Sequence, residues 1–178
     1  VPKTFGLQDE KATLVFESPD TQIYAFSVSH APIHPAVGYK IKYKDRSIVI
    51  SGDTTPSAHV EREAKGVDVL MHEAMSMEMM TIVQEGAQLA KRDKLEQLMK
   101  DITNYHTSPV EAAHIASKAE VGYLMLHHIA PPLPFPGLVD IFLKGTDKAF
   151  KGKIQVAKDG DVLSLPAGQK SIQPSSRF

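Results

Sequence analysis

Four short apolar stretches in this chain each run into a histidine or an acid, and that repetition narrows the folds open to it. Tyr24 to Ser29 is followed by His30, and Ser47 to Ile50 is followed, through Ser51 and Gly52, by Asp53. Val67 to Met71 meets His72 and Glu73, and Tyr123 to Leu126 meets His127 and His128. The last three stretches lack a polar face, as strands covered on both sides do. Tyr24, Phe26 and Val28, and then Tyr39, Ile41 and Tyr43, alternate with small or charged neighbours, the pattern of half-buried strands. In a layered α/β protein the ends of such strands lie along one edge, where sites are built. The pattern therefore predicts an α/β fold in which strand ends bring imidazoles and carboxylates together, with Gly52 letting the backbone turn sharply so that Asp53 points off the sheet.

Helical signals separate the strands. One helix is expected within residues 57–65, ended by Gly66, and a longer one within residues 76–100. Ser108, Pro109 and Glu111 form a capping box with proline at the first helical position, and Ala112, Ile115, Ala116 and Ala119 continue it as a narrow apolar stripe. The proline-rich run 131–137 is expected to be a stiff loop, because its prolines offer no amide donors. A closing strand pair, 153–157 and 162–165, is expected to turn at Asp159 and Gly160. From Ala167 the chain reads as a polar, frayed tail.

The charge balance, 20 basic against 21 acidic residues for a net −1, argues against a broad footprint for nucleic acid, so RNA is neither favoured nor excluded. No apolar window spans a bilayer and the opening carries no signal pattern, so a soluble protein of undetermined compartment is expected. With no cysteine, any zinc must be held by histidine and carboxylate, a donor set more typical of catalytic than structural sites. The chain opens on Val1 and its first residues read as the middle of a protein, so a truncated or processed segment is expected.

The order of these motifs resembles the metallo-β-lactamase-fold hydrolases. The run from His30 to Tyr39 and the stretch ending in Ser51, Gly52, Asp53 and Thr54 look like that family's third and fourth motifs. Leu70 to Ala74, His106 to Pro109, Leu124 to Ala130 and Lys158 to Asp161 are similar to further motifs of its ribonuclease Z and arylsulfatase-like branch. The family's His-x-His-x-Asp-His cluster, which lies upstream of all these, is absent from this chain. The resemblance thus implies the C-terminal portion of a four-layered αββα metallo-β-lactamase sandwich, with residues 1–166 in one domain and 167–178 as the tail.

It further implies a metal-dependent hydrolase using a zinc-activated hydroxide on an ester or phosphodiester-type substrate. Two zinc ions, or another divalent metal, would be held with His30 on one, Asp53 bridging both and His128 on the other. Glu73 and His106 would form the acid–base pair, the glutamate orienting a histidine that protonates the leaving oxygen. A carboxylate can span two cations and a neutral imidazole suits zinc through one nitrogen, so the chemistry agrees. His34 competes with His30, which ends a strand and is better placed; His127 competes with His128 and reads as a packed neighbour. His72 suits local packing, His59 and His114 a helix surface, and Lys40, Lys42 and Lys44 a solvated strand face that could meet a phosphate chain. The methionines at 71, 75, 77, 79 and 80 read as core filler. The missing half is expected as a preceding segment, a second chain or a symmetry-related copy, which leaves a homo-oligomer open. The rival from another class is a metal-free binding or assembly module that has kept the fold and lost the chemistry.

Overall fold

The computed structural model describes residues 4–7 and 11–177. Four strands come first: β1 (Thr13–Ser18), β2 (Thr21–Ser27), β3 (Val37–Tyr43) and β4 (Arg46–Ile50). After α1 (Ala58–Glu63) follow β5 (Val69–Met75), α2 (Met77–Leu89), α3 (Asp93–Ile102), α4 (Pro109–Lys118) and β6 (Tyr123–Ala130). The chain closes with α5 (Gly137–Phe142), α6 (Thr146–Ala149), β7 (Lys153–Val156), β8 (Asp161–Ser164) and β9 (Gln173–Ser176). β1 to β7 lie in sequence order in one sheet. The first four pair antiparallel and β4 to β7 pair parallel. Parallel neighbours need crossover connections, and the helices between β4 and β7 supply them.

α1 and α4 cover one sheet face. Phe26, Val49, Leu70, Leu124 and Leu126 are buried there against Val60 and Ala64 around α1 and Ala112, Ile115 and Ala116 of α4. The stripe of α4 is narrow because alanine lets the helix approach the sheet closely. Its N-terminus has the expected box: Ser108 Oγ accepts from the Glu111 amide at 3.3 Å and Glu111 Oε2 accepts from the Ser108 amide at 2.9 Å. Gly38 is required by the same packing, since a Cβ there would run into the Phe26 ring.

The opposite face is covered only in part. A row of apolar side chains, Phe16, Ile23, Ile41, Ile48, Val69 and Tyr123, crosses six strands. Leu163, Leu165 and Ile172, from the β8–β9 region, pack on its far end against Val69, Tyr123 and Met125. The near end stays open: Phe16 is 51% exposed, Tyr39 36% and Tyr43 45%.

Several expectations are corrected by this architecture. The closing strands do not form a hairpin: β7 joins β6 in the main sheet, while β8 pairs with β9 in a separate two-stranded sheet. Residues 167–177 are not frayed, because buried Arg46 binds the carbonyls of Gln169 and Ser171 and pairs with Asp68 at 3.1 Å. The long helix is two, interrupted where Lys91 takes a positive φ of 52°. Residues 137–142 and 146–149 are helical where no helix was expected. Of the five methionines expected to fill the core, Met75, Met79 and Met80 are buried, while Met71 and Met77 are half-buried. No helix among the described residues is long and apolar enough to cross a membrane.

Candidate metal centre and acid–base pair

The loop after β4 is fixed from below before it presents Asp53. Gly52 has φ +64°, and a Cβ there would strike the Val37 carbonyl, so only glycine fits the turn. Ser51 donates its amide to the Met71 carbonyl at 2.9 Å, and its hydroxyl accepts from the Glu73 amide at 3.0 Å. Thr54 is fully buried: its hydroxyl accepts from the Ser29 amide at 3.2 Å, joining this loop to the one that carries His30. Asp53, between these anchors, has a side chain 39% exposed.

Glu73 and His72 lie inside β5 rather than at its end, because that strand continues to Met75. Glu73 is fully buried, and its Oε1 accepts from the Thr107 amide at 2.9 Å and the Thr54 amide at 3.3 Å. His106 Nδ1 stands 3.3 Å from the same oxygen, though out of line for a hydrogen bond. The carboxylate thus ties two loops to β5, and its Oε2 is buried without a partner.

His30 and His106 are brought side by side, ring centroids 5.0 Å apart, and His106 lies 6.0 Å from His128. His30 Nδ1 is 2.9 Å from the Tyr105 carbonyl, which can only accept, so Nδ1 carries the proton and Nε2 keeps a free lone pair. That is the arrangement in which a ligating imidazole is usually held. His128 Nε2 lies 3.3 Å from Asp53 Oδ2, and its side chain is 58% exposed.

His128 reaches this place through a defect in the ladder. Glu73 pairs with His127 and Ala74 with Ile129, so His128 is an extra residue in β6, and its φ is +44°. A bulge of this kind re-aims a side chain at the end of a strand, and a non-glycine residue in that region costs about 1–2 kcal/mol. His127, its neighbour, is half-buried with Nε2 unpartnered, and burial pushes its pKa down. His72 is fully buried, donates from Nδ1 to the Glu73 carbonyl at 2.7 Å, and is likewise held below the usual imidazole range by burial.

His34 lies exposed in its loop. His114 is exposed on α4, whereas His59 is not merely superficial, since its Nδ1 donates to the Ser27 carbonyl at 2.8 Å and pins α1 to β2. The donors suit a divalent metal in type but do not close on one: among the described residues no three His, Cys, Asp or Glu groups form a metal-holding cluster. They stand instead as neighbouring pairs on an edge open to solvent, while concavities of about 460 and 560 Å³ lie on other faces. Sequence reasoning missed Tyr105, which acts through its carbonyl and so leaves no side-chain signal. It also missed Thr54 and Thr107 as the amides that hold Glu73, although both sit within the sequence motifs that carry the family resemblance.

A single α/β sheet whose strand ends gather imidazoles and carboxylates beside an incompletely covered face defines one half of a metallo-β-lactamase sandwich. The chain belongs to the metallo-β-lactamase superfamily: residues 4–129 match the beta-lactamase superfamily domain. Ribonuclease Z of Mycobacterium tuberculosis is 32% identical over 158 residues, covering 89% of this chain and 54% of that protein. A ribonuclease Z of a further Mycobacterium species is 30% identical over 130 residues, covering 73% of this chain and 41% of that one. The chain therefore spans about half the length of the curated relatives it matches. The fold is shared with the metallo-β-lactamase fold protein YhfI from Bacillus subtilis, with a TM-score of 0.60 and 16% identity over 94% of this chain and 54% of that one. It is also shared with the short form of human tRNase Z, with a TM-score of 0.55 and 22% identity over 87% and 46%.

Proposed function

We propose that the chain is the C-terminal half of a metal-dependent hydrolase that cleaves a phosphodiester, and that it contributes His30, Asp53 and His128 to a dinuclear zinc site completed elsewhere. The observation that supports this most is the meeting of His30, Asp53, His106 and His128 on one edge from widely separated stretches of sequence. Zinc, when bound, supplies Lewis acidity, lowering the pKa of water from about 15.7 toward 7 and neutralising charge that grows on the substrate. His30 offers Nε2 because the Tyr105 carbonyl occupies Nδ1. Asp53 has two oxygens for two cations, and His128 is aimed by its bulge toward Asp53.

Glu73 acts as a positioning residue. Its buried oxygen faces His106 Nδ1 and fixes which way the ring turns, leaving Nε2 to deliver a proton to the leaving oxygen. The ribonuclease Z names of the relatives favour RNA as the substrate. The half that the chain lacks relative to those proteins, supplied by a preceding segment, another chain or a second copy, would cover the open sheet face at Phe16, Tyr39 and Tyr43. The second reading is a metal-free binding module that has kept the fold and lost the chemistry. Turnover of a chromogenic phosphodiester by the natively expressed protein, with and without a chelator, separates the two. Chelator-sensitive cleavage that disappears in the His106→Ala variant is expected; no cleavage would overturn the hydrolase reading, and cleavage indifferent to both would overturn the metal and His106 assignments.

A further inference from the structure

Beyond the edge that gathers the histidines, a strongly charged concavity of about 460 Å³ lies on the helix-covered face. Lys11, Lys40, Lys42 and Arg62 line it together with Tyr24, opposed by the single carboxylate of Glu63. In a chain whose net charge is −1, four cations against one acid in one groove is a local excess. Lys44, in the turn that follows β3, pairs with Asp20 at 3.9 Å and is exposed. Lys40 behaves differently: its side chain is only 17% exposed, and Glu63 stands 3.8 Å away, at the far limit of an ion pair. Burial lowers its pKa, so the fold holds an ammonium in poor solvent with little compensation. Lys42 sits over the Tyr24 ring at 5.4 Å, which leaves its charge facing the groove beside an aromatic surface.

The groove also runs in a useful direction. β3 begins at Val37, paired with Ser27 just before the His30 loop. At about 3.3 Å per residue, Lys40 and Lys42 lie roughly 10 and 17 Å further down the strand. Lys11 precedes β1, whose Thr13 pairs with Ala25, so it sits at the end nearest the site. The cations thus form a track leading away from the edge that presents Asp53 and His128. We propose that this track binds the phosphate backbone of a single-stranded RNA segment extending from the cleavage site. The proposal rests on the phosphodiesterase reading and adds a second binding region to it. A concavity of this size receives one strand rather than the body of a duplex, and Tyr24 offers a surface for a base, as single-strand grooves do.

The test is fluorescence anisotropy of a labelled oligouridylate bound to the protein over a range of salt concentrations. The variants are Lys42→Glu with Arg62→Glu, both exposed, so that folding is not at stake. Binding should weaken about tenfold or more at low salt, and the log–log salt slope should fall by about 1.4, or about 0.7 for each phosphate no longer neutralised. Lys94→Glu with Lys100→Glu, exposed on α3, makes the same change in net charge and should alter affinity by less than about twofold. Glu63→Gln removes the opposing carboxylate and should tighten binding about two- to threefold, which a purely structural role would not do. Turnover of a small chromogenic phosphodiester should be unaffected in all of these. If no small substrate is cleaved yet the Lys42 and Arg62 changes still weaken RNA binding, the groove stands and the hydrolase reading falls. Absence of binding by the unaltered protein, or equal weakening by the groove and α3 variants, would overturn the proposal.

Discussion

The bulge that aims His128 can be tested without measuring any activity. At an ordinary strand position alanine is more favourable than glycine by about 0.5–1 kcal/mol, because glycine loses more backbone freedom on folding. His128 has φ +44°, where a Cβ costs about 1–2 kcal/mol that glycine escapes. Replacing His128 by Ala or by Gly removes the same interaction with Asp53, so its cost cancels when the two variants are compared. Setting the Cβ cost against the extra entropy of glycine in the unfolded chain, about 0.4–1 kcal/mol, leaves His128→Gly more stable than His128→Ala by about 0.5–1 kcal/mol. For a domain of this size that is a difference in Tm of about 1–4 °C, readable by calorimetry or from urea midpoints at equal m-values. The sign decides the matter. If His128→Ala is the more stable, β6 runs straight through this residue, and the explanation of how His128 leaves the ladder is wrong.

Three further outcomes are expected. Glu73→Gln keeps an acceptor for the Thr54 and Thr107 amides but loses the charge beside His106, so steady-state kinetics should show kcat down by about 10²-fold with KM nearly unchanged; a change confined to KM would remove Glu73 from the acid–base pair. His72 has its folded-state pKa lowered by burial, so the unfolded chain binds its proton more readily below about pH 6.5. Stability is therefore full above that pH and declines as the pH falls through it; His72→Gln should flatten the dependence of urea midpoint on pH between about 5 and 7, and an unchanged dependence would place the acid sensitivity elsewhere. Ser108→Ala removes the α4 cap and should cost about 1 kcal/mol, or about 2–4 °C in Tm, and an unchanged Tm would show that Glu111 and Pro109 hold that end without it.

What could be read from the sequence is what short-range chemistry encodes. The α4 box needs Ser108, Pro109 and Glu111 within one turn, and the Asp53 turn needs Gly52, so both are written locally. The alternation of β2 puts Phe26 on the helix-covered face, whereas that of β3 puts Tyr39 and Tyr43 on the open one, so the period is written locally but the covered face is not. The break between α2 and α3 carries no glycine or proline, since Lys91 takes the positive φ itself. The bulge at His128 is set by how β5 and β6 match across the ladder, a relation between segments that neither segment shows alone. β9 has no apolar face, all four of its residues being exposed, and what fixes the segment before it is Arg46, more than a hundred residues away in sequence. The site followed the same division: its side chains could be named from motifs, whereas the amides and carbonyl of Thr54, Thr107 and Tyr105 that orient them could not.

Whether His30, Asp53 and His128 hold metal, and in what shares, is answered by metal content. Inductively coupled plasma mass spectrometry would be applied to the natively expressed protein and to His30→Ala, Asp53→Ala and His128→Ala. About two zinc ions per chain are expected in the unaltered protein, with one missing in each histidine variant and both missing in Asp53→Ala if its carboxylate is shared between the two ions as proposed. Full metal content in all three variants, or none in the unaltered protein, would contradict the assignment of these residues as ligands.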